Sequence, residues 1–529
     1  MKRALYYLSV VLWVIPIMVQ PVYSQSKQLS GYCPIKEVVD LNGGEMIFKN
    51  AILDFKSGGI KNGTIRFEDV TIKGKPYFSN ISFCGNLSTP IKTCWFVINS
   101  INDLIKVFES FGKCSGEKHI IIDEPYTFDY SAFSQNQQVL FELTSNSIVE
   151  FSKKGKFCVL SSKRIFHQNG LFGVNPNVYA ENIKIINANI EGQKIEDFGA
   201  CLFMALSSPY FTGTHINNVI ISGARLVNFG GALYCVQTRS LTGVGTEERS
   251  HKNIIVKNCY QYGNTSGMFC TVDGENIQVI DNYCDANNDP YSYDAISCHS
   301  GVNILIKGNT FKRFNNAKGM IINIRNSEEN NCGSKNIEIV NNKLLDSPNC
   351  HASLSVSLSN EQKYGVHNVK FSHNVVKNCS GILVLTGGRG HRGLLSDIVI
   401  KNNILNLRVG SSFIFSAQTL VSKPQNISVT DNKVVLQIND EAVNAITFSC
   451  VDSVVFKKNT ITIKGMSNTP ASAIYVDYYE NIEFTDNNIN AGHHKIGGFV
   501  RGSGLIVNNN KYRKKNKSKD HDIVLPNNL

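Results

Sequence analysis

Asn303-Ile-Leu-Ile-Lys-Gly-Asn309 and Asn336-Ile-Glu-Ile-Val-Asn-Asn342 are two copies of one cassette, N-I-x-I-x-x-N. Further copies run Asn182 to Asn189 (with one extra residue), Asn276 to Asn282, Asn368 to Asn374, Asp397 to Asn403, Asn426 to Asn432, Ser453 to Asn459, Asn481 to Asn487 and Gly504 to Asn510, and weaker ones start at Asn218 and Asn253. Successive starts lie roughly 23 to 36 residues apart, inside the period range of solenoids. Within each copy the second and fourth positions are apolar, as at Ile304 and Ile306 or Ile482 and Phe484. That is the alternation of a strand with one buried face. An Asn at a fixed place in every turn tolerates a left-handed bend, and its amide can bond to the Asn of the coils above and below. The column Asn282, Asn309, Asn342, Asn374, Asn403, Asn432, Asn459, Asn487 and Asn510 is expected to form such a ladder.

A second strand precedes many cassettes, in Asp294 to His299, Gly319 to Arg325, Gly381 to Leu385, Asn444 to Phe448 and Ser472 to Asp477. Short strands with no helical segment between them make a parallel β-helix. Here the chain resembles the pectate lyase superfamily of right-handed β-helices, whose repeats read D-G-I…N-V-x-I-x-N-N. Upstream, Trp95-Phe96, Asp103 to Phe111, Gly116 to Ile122 and Tyr126-Thr-Phe128 are similar to that family's opening segment. The resemblance implies an all-β, right-handed parallel β-helix of about twelve coils, with a short capping helix that buries Leu104, Ile105, Val107, Phe108 and Phe111. It covers most of residues 91 to 510 and specifies a fold better than a reaction. Polygalacturonases of the superfamily carry an adjacent Asp pair and a Gly-His-Gly. This chain has neither, and only Asp294-Ala-Ile resembles their first motif.

A solenoid grows by adding coils, so 529 residues need not divide into several globules. Residues 1 to 24 read as a signal peptide: Lys2 and Arg3 precede an apolar run from Ala4 to Val19, with Ser24 before the expected cleavage. Residues 25 to 90 read as an irregular set of short strands, 91 to 510 as the β-helix, and 511 to 529 as a loose basic tail. The leader implies a secreted or cell-envelope protein, and no later run is long enough for a membrane span. The 15 cysteines match no zinc spacing. Cys84, Cys94 and Cys114 are candidates for disulfides, while residues such as Cys298 and Cys450 read as small apolar fillers. No metal is expected, and the sequence specifies no cofactor.

The net charge of +11 includes Lys511, Arg513, Lys514, Lys515, Lys517 and Lys519, which leaves the coils only mildly basic. Nucleic-acid binding would need basic residues interleaved with exposed aromatics in a known module, and neither is evident. The basic bias of a secreted protein fits an anionic polysaccharide partner equally well, and such a bias often serves only solubility.

Function then rests on the outer face of the strand that begins at Asp294. Aligning strands puts Phe269, Ile296, Ile446 and Ile474 in one inward column, so Ser297, His299 and Asp477 point outward. One coil on, Asn323 and Arg325 alternate outward with Met320, Ile322 and Ile324. The preceding turn offers Asp273. These residues supply the candidate catalytic groups Asp273, Asp294, His299 and Arg325, with Asp289, Tyr293 and Asn323 as substrate contacts. A Gly-rich loop adds Arg389, His391 and Arg392 as anion contacts. For β-elimination, Arg325 or a bound cation would neutralise a uronate carboxylate while His299 or a Tyr removes the neighbouring proton, whereas a carboxylate pair such as Asp273 and Asp294 suits hydrolysis. A surface β-helix that only binds glycan is the alternative.

Overall fold

The computed structural model describes residues 27–129, 139–160, 169–175, 178–193, 200–207, 214–237, 250–263, 269–326, 333–358, 364–386, 394–408, 413–417, 423–437, 444–465, 472–492, 495–514 and 523–524. Residues 1 to 24, expected to be a leader, and the stretch bearing Arg389, His391 and Arg392 lie outside them. No helix among the described residues is long and apolar enough to cross a membrane.

The chain divides into two compact units. The first comprises Met1–Pro90, Trp95–Ile98 and Lys113–Lys118. Its strands Lys27–Ile35, Glu45–Phe55, Gly59–Gly74 and Tyr77–Leu87 pair in parallel and in chain order. This corrects the expectation of short irregular strands. Each coil here stacks apolar residues in register, Met46 on Ile65 on Phe83, with the Phe67 and Phe83 rings 5.4 Å apart. One copy of the cassette, Asn80 to Asn86, lies here, and exposed amide bonds join Asn80 to Asn62 and Asn62 to Asp40, while the earlier strands carry no full copy of the pattern.

The second unit comprises Ile91–Cys94, Asn99–Gly112 and His119–Leu529. It is a right-handed parallel β-helix with three faces. The first face includes Ile296–Cys298 and Met320–Asn326, the second the cassette strands such as Val302–Lys307, and the third short strands such as Thr310–Lys312. Among the described residues the third face holds fourteen strands, from Pro125–Asp129 to Lys511–Lys514. Its earliest strands precede the first cassette and so left no mark in the repeat pattern. The bore is filled by the inward alternation, for example Ile304, Ile306 and Phe311, each no more than 1 % exposed.

The helix Ile101–Gly112 starts with a capping box: Ser100 Oγ accepts the Asp103 N–H at 3.3 Å, and Asp103 Oδ2 accepts the Ser100 N–H at 3.0 Å. It buries Leu104, Val107, Phe108 and Phe111, and Phe108 lies 4.7 Å from the Phe141 ring and 5.8 Å from Phe172. Ile105, expected on that face, is only half-buried.

The Asn column forms an unbroken ladder from Asn282 to Asn510. Asn309 shows the pattern: its Nδ2 donates to Asn342 Oδ1 at 3.0 Å and to the Val279 carbonyl at 2.8 Å. Its Oδ1 accepts from the Nδ2 and backbone N–H of Asn282 at 2.9 and 3.0 Å. From Asn309 to Asn487 both donors and both acceptor sites of each amide are filled, which is what allows these members to be buried, while Asn510 at the end of the column is half-buried.

The left-handed bend, however, is not at the ladder. It falls at the first cassette residue, as at Asn276, Asn303 and Asn336, and at the residue just before the ladder Asn, as at Asp281, Asn341 and Asn402. Where Asn is absent from these places Gly504 and Gly308 stand in, both with positive φ. The first-position residues make a second, exposed ladder that donates the other way, Asn303 Nδ2 to Asn276 Oδ1 at 3.1 Å and Asn336 Nδ2 to Asn303 Oδ1 at 3.0 Å.

Two further expectations are revised. The stretch from Lys511 is not wholly a loose tail: Lys511–Lys514 pairs with Asn488–Gly492, and Ile523–Val524 pairs with Lys495–Phe499. Cys84, Cys94 and Cys114 are free thiols.

Candidate functional site

Register along the first face decides which side chains meet. Cys270 pairs with Ile296 and Ile296 with Ile322, so the inward column takes Cys270 where Phe269 was expected. Three residues beyond each lie Asp273, His299 and Arg325. Asp273 and His299 fall just past the paired residues of their strands and Arg325 within its own, so the three stand at equivalent places on three successive coils, about 4.8 Å apart per coil, with Asp273 turned into the corner. The neighbouring outward column reads Thr271, Ser297, Asn323 and Ser355.

The strand expected from Asp294 to His299 is shorter than the sequence suggests, Ile296–Cys298. Asp294 precedes it and is 5 % exposed. Its Oδ1 accepts the Met320 N–H at 2.8 Å and its Oδ2 accepts Asn323 Nδ2 at 2.9 Å, which ties two coils together. Burial raises its pKa, opposed by those hydrogen bonds, by the Arg325 charge and by Ser297.

Asp273 is fully buried, and its Oδ1 accepts the His299 N–H at 2.6 Å. The His299 Nδ1 stands 3.8 Å from Asp273 Oδ2, and its Nε2 is 2.8 Å from Ser297 Oγ. Burial first, and then the Arg325 charge, push the imidazole down to about 3. It is therefore neutral at ordinary pH, and its contact with Asp273 is not an ion pair.

Arg325 is half-buried and makes no salt bridge among the described residues, and its Nε is enclosed without a hydrogen-bond partner. Asn323 is 4 % exposed, more deeply covered than an outward strand position suggests, and its Oδ1 likewise lacks a partner. An enclosed guanidinium nitrogen and an enclosed amide oxygen two residues apart on one strand face are unmet demands for an acceptor and a donor.

Of the expected residues, the structure thus brings Asp273, Asp294, His299, Asn323 and Arg325 into one network. Asp289 instead shapes the approach turn, its Oδ1 accepting the Tyr291 N–H at 3.0 Å, while Tyr293 is 47 % exposed beside Asp294 in the chain. Arg389, His391 and Arg392 fall on residues that are not described. Ser297 was read as outward yet passed over as a site residue. Its spacing of two from His299 on one strand was the available signal.

No protein-family model matches the sequence, and no curated protein matches it. Among solved structures, the Family 28 exopolygalacturonase of Yersinia enterocolitica is similar at 11 % identity and a TM-score of 0.50, covering 75 % of this chain and 79 % of that one. A tailspike protein double mutant of E. coli bacteriophage HK620 is similar at 12 % identity and a TM-score of 0.44, covering 82 % and 80 %. PfbA, a surface adhesin of Streptococcus pneumoniae, is similar at 13 % identity and a TM-score of 0.36, covering 75 % and 94 %. The first likeness carries the fold alone, a right-handed parallel β-helix.

Proposed function

We propose that the protein is a secreted or cell-envelope, carbohydrate-active β-helix that cleaves an acidic polysaccharide along its first face, by β-elimination. The observation that supports this reading is the equivalent placement of Asp273, His299 and Arg325 on three successive coils. The Arg325 guanidinium makes no salt bridge among the described residues, although its charge reaches Asp294, and its enclosed Nε is placed to meet a sugar carboxylate. That lowers the cost of removing the neighbouring proton; His299, one coil from Arg325, is placed to accept that proton, and the charge of a bound sugar carboxylate beside it would raise its pKa toward the working range. Asp273 orients His299 through its backbone, and Asn323 Oδ1 receives a sugar hydroxyl. Hydrolysis is less well supported, because Asp273 and Asp294 are both buried and both already accept backbone N–H bonds. The fold shared with an exopolygalacturonase is consistent with a glycan substrate.

The same spent carboxylates favour a second reading, a groove that binds glycan without cleaving it. One experiment separates the two. Acidic and neutral polysaccharides are incubated with the protein and followed for unsaturated uronate absorbance and for new reducing ends. Elimination predicts both signals together from an acidic polymer, and a loss of about 100- to 10,000-fold in His299→Ala. Reducing ends without unsaturation would replace elimination by hydrolysis. Binding with no product from any polymer would leave the adhesive reading.

A further inference from the structure

The register that aligns Asp273, His299 and Arg325 continues without a break: Arg325 pairs with Ser357, Ser357 with Leu385, Leu385 with Ser416, Ser416 with Ser449 and Ser449 with Asp477. The adjacent column runs from Asn323 through Ser355, Leu383, Ile414 and Thr447 to Tyr475. Five coils beyond Arg325, about 24 Å along the face, the two columns again carry polar groups that face outward together.

Here Arg501 forms a two-pronged pair with Asp477, Nε to Oδ1 at 2.9 Å and Nη2 to Oδ2 at 2.6 Å. Tyr475 donates its hydroxyl to Asp477 Oδ2 at 3.2 Å. The Arg501 guanidinium lies 3.7 Å from the centre of the Tyr478 ring and also donates to the Tyr478 hydroxyl. Tyr478 remains 37 % exposed.

The backbone of Tyr478 is the telling feature. Its φ is +51, and it is the only Tyr, Phe or Trp among the described residues with a left-handed backbone. Most other such positions carry Asn, Asp or Gly, for which that conformation is cheap, and the equivalent place one coil earlier, Cys450, is also left-handed, so the corner recurs and the ring is what is particular to Tyr478. A bulky ring held there costs free energy that an Asn would save, and such an outlier points toward function. An exposed ring flanked by a carboxylate and a guanidinium is a sugar-binding arrangement: the ring takes the apolar face of a pyranose, and Asp477, Arg501 and Tyr475 take its hydroxyls.

We infer that Tyr475, Asp477, Tyr478 and Arg501 form a distal subsite that binds a second stretch of the same polysaccharide chain, lying along the first face several sugar units from Arg325. This rests on the groove reading above and adds to it that the ligand is a polymer aligned with the coil axis.

The test uses the full chain and needs no turnover. Affinities are measured for polygalacturonate and alginate and for the trimers of each, with wild type, Tyr478→Asn and Tyr478→Phe. The expected result is that Tyr478→Asn melts no lower than wild type, because Asn suits the left-handed backbone, yet binds the preferred polymer about tenfold more weakly. Its affinity for the trimer is unchanged, and Tyr478→Phe stays close to wild type. The subsite is overturned by undiminished polymer binding in Tyr478→Asn, by equal losses for trimer and polymer, by a lower melting temperature that marks the ring as packing, or by a wild type that binds neither polymer. A protein that shows the length-dependent loss but never cleaves would lose the elimination reading and keep the subsite.

Discussion

The carboxylate of Asp273 accepts the backbone N–H of His299 at 2.6 Å across the corner of two successive coils. The bond fixes where His299 leaves the first face, so Asp273 is a positioning residue. Asp273→Asn keeps an acceptor oxygen and is expected to fold, with glycan turnover reduced less than in His299→Ala. Asp273→Ala leaves a buried N–H without a partner and is expected to cost about 1–3 kcal/mol in denaturant unfolding. Equal stability of the two variants would show that the bond does not hold the corner.

The acid limb of stability carries a signature of His299. Its folded pKa, about 3, lies below the ordinary value of 6.5. The unfolded chain therefore binds a proton that the folded chain refuses, and stability falls as pH drops from 6.5 toward 3, by up to about 1.4 kcal/mol per pH unit. Asp294 has the opposite sign, because burial raises its pKa and the folded state holds its proton longer. Denaturant midpoints across this range should fall less steeply in His299→Gln and more steeply in Asp294→Asn. Parallel curves for all three proteins would contradict the assignment.

The two Asn ladders are expected to differ sharply in worth. Asn342→Ala removes an amide that fills four hydrogen-bonding positions, including the Asn309 N–H and the Ile306 carbonyl, and is expected to cost about 2–5 kcal/mol. Asn303→Gly preserves the left-handed backbone on the exposed ladder and should cost less than about 1 kcal/mol. Urea unfolding of both variants decides the matter, and similar losses would refute the distinction.

Cysteine chemistry offers an independent check. Cys94 is exposed, yet partial burial and its bond to Asp123 push its thiol up to about 12. Its alkylation at neutral pH should be slow, and Asp123→Asn should speed it by about tenfold for each unit that the pKa drops. An unchanged rate would show that burial alone sets the reactivity.

Much of this was readable from the residue order. The Asn column was legible because each buried amide is satisfied only by another amide in the same place, a demand that writes itself into the sequence coil after coil. The outward direction of His299, Asn323 and Arg325 followed from strand alternation. Three things did not follow. The left-handed corners are occupied by Asn, Asp, Gly and even Tyr, so residue type alone misplaced the bend onto the ladder. The depth of Asn323 depends on what covers the face, which alternation cannot report. The pairing of Asp477 with Arg501 joins two corners of successive coils, and no periodic signal marks it.

The inner amide string asks only that one Asn follow another, and it is silent about the chain between them. Consecutive members are separated by as few as 23 residues, from Asn487 to Asn510, and by as many as 33, from Asn309 to Asn342, yet the joints keep nearly the same length. Such tolerance lets excursions grow, shrink or be exchanged while the frame is untouched. New specificity can then be acquired one loop at a time, with the price in foldability set by the joint and not by the novelty.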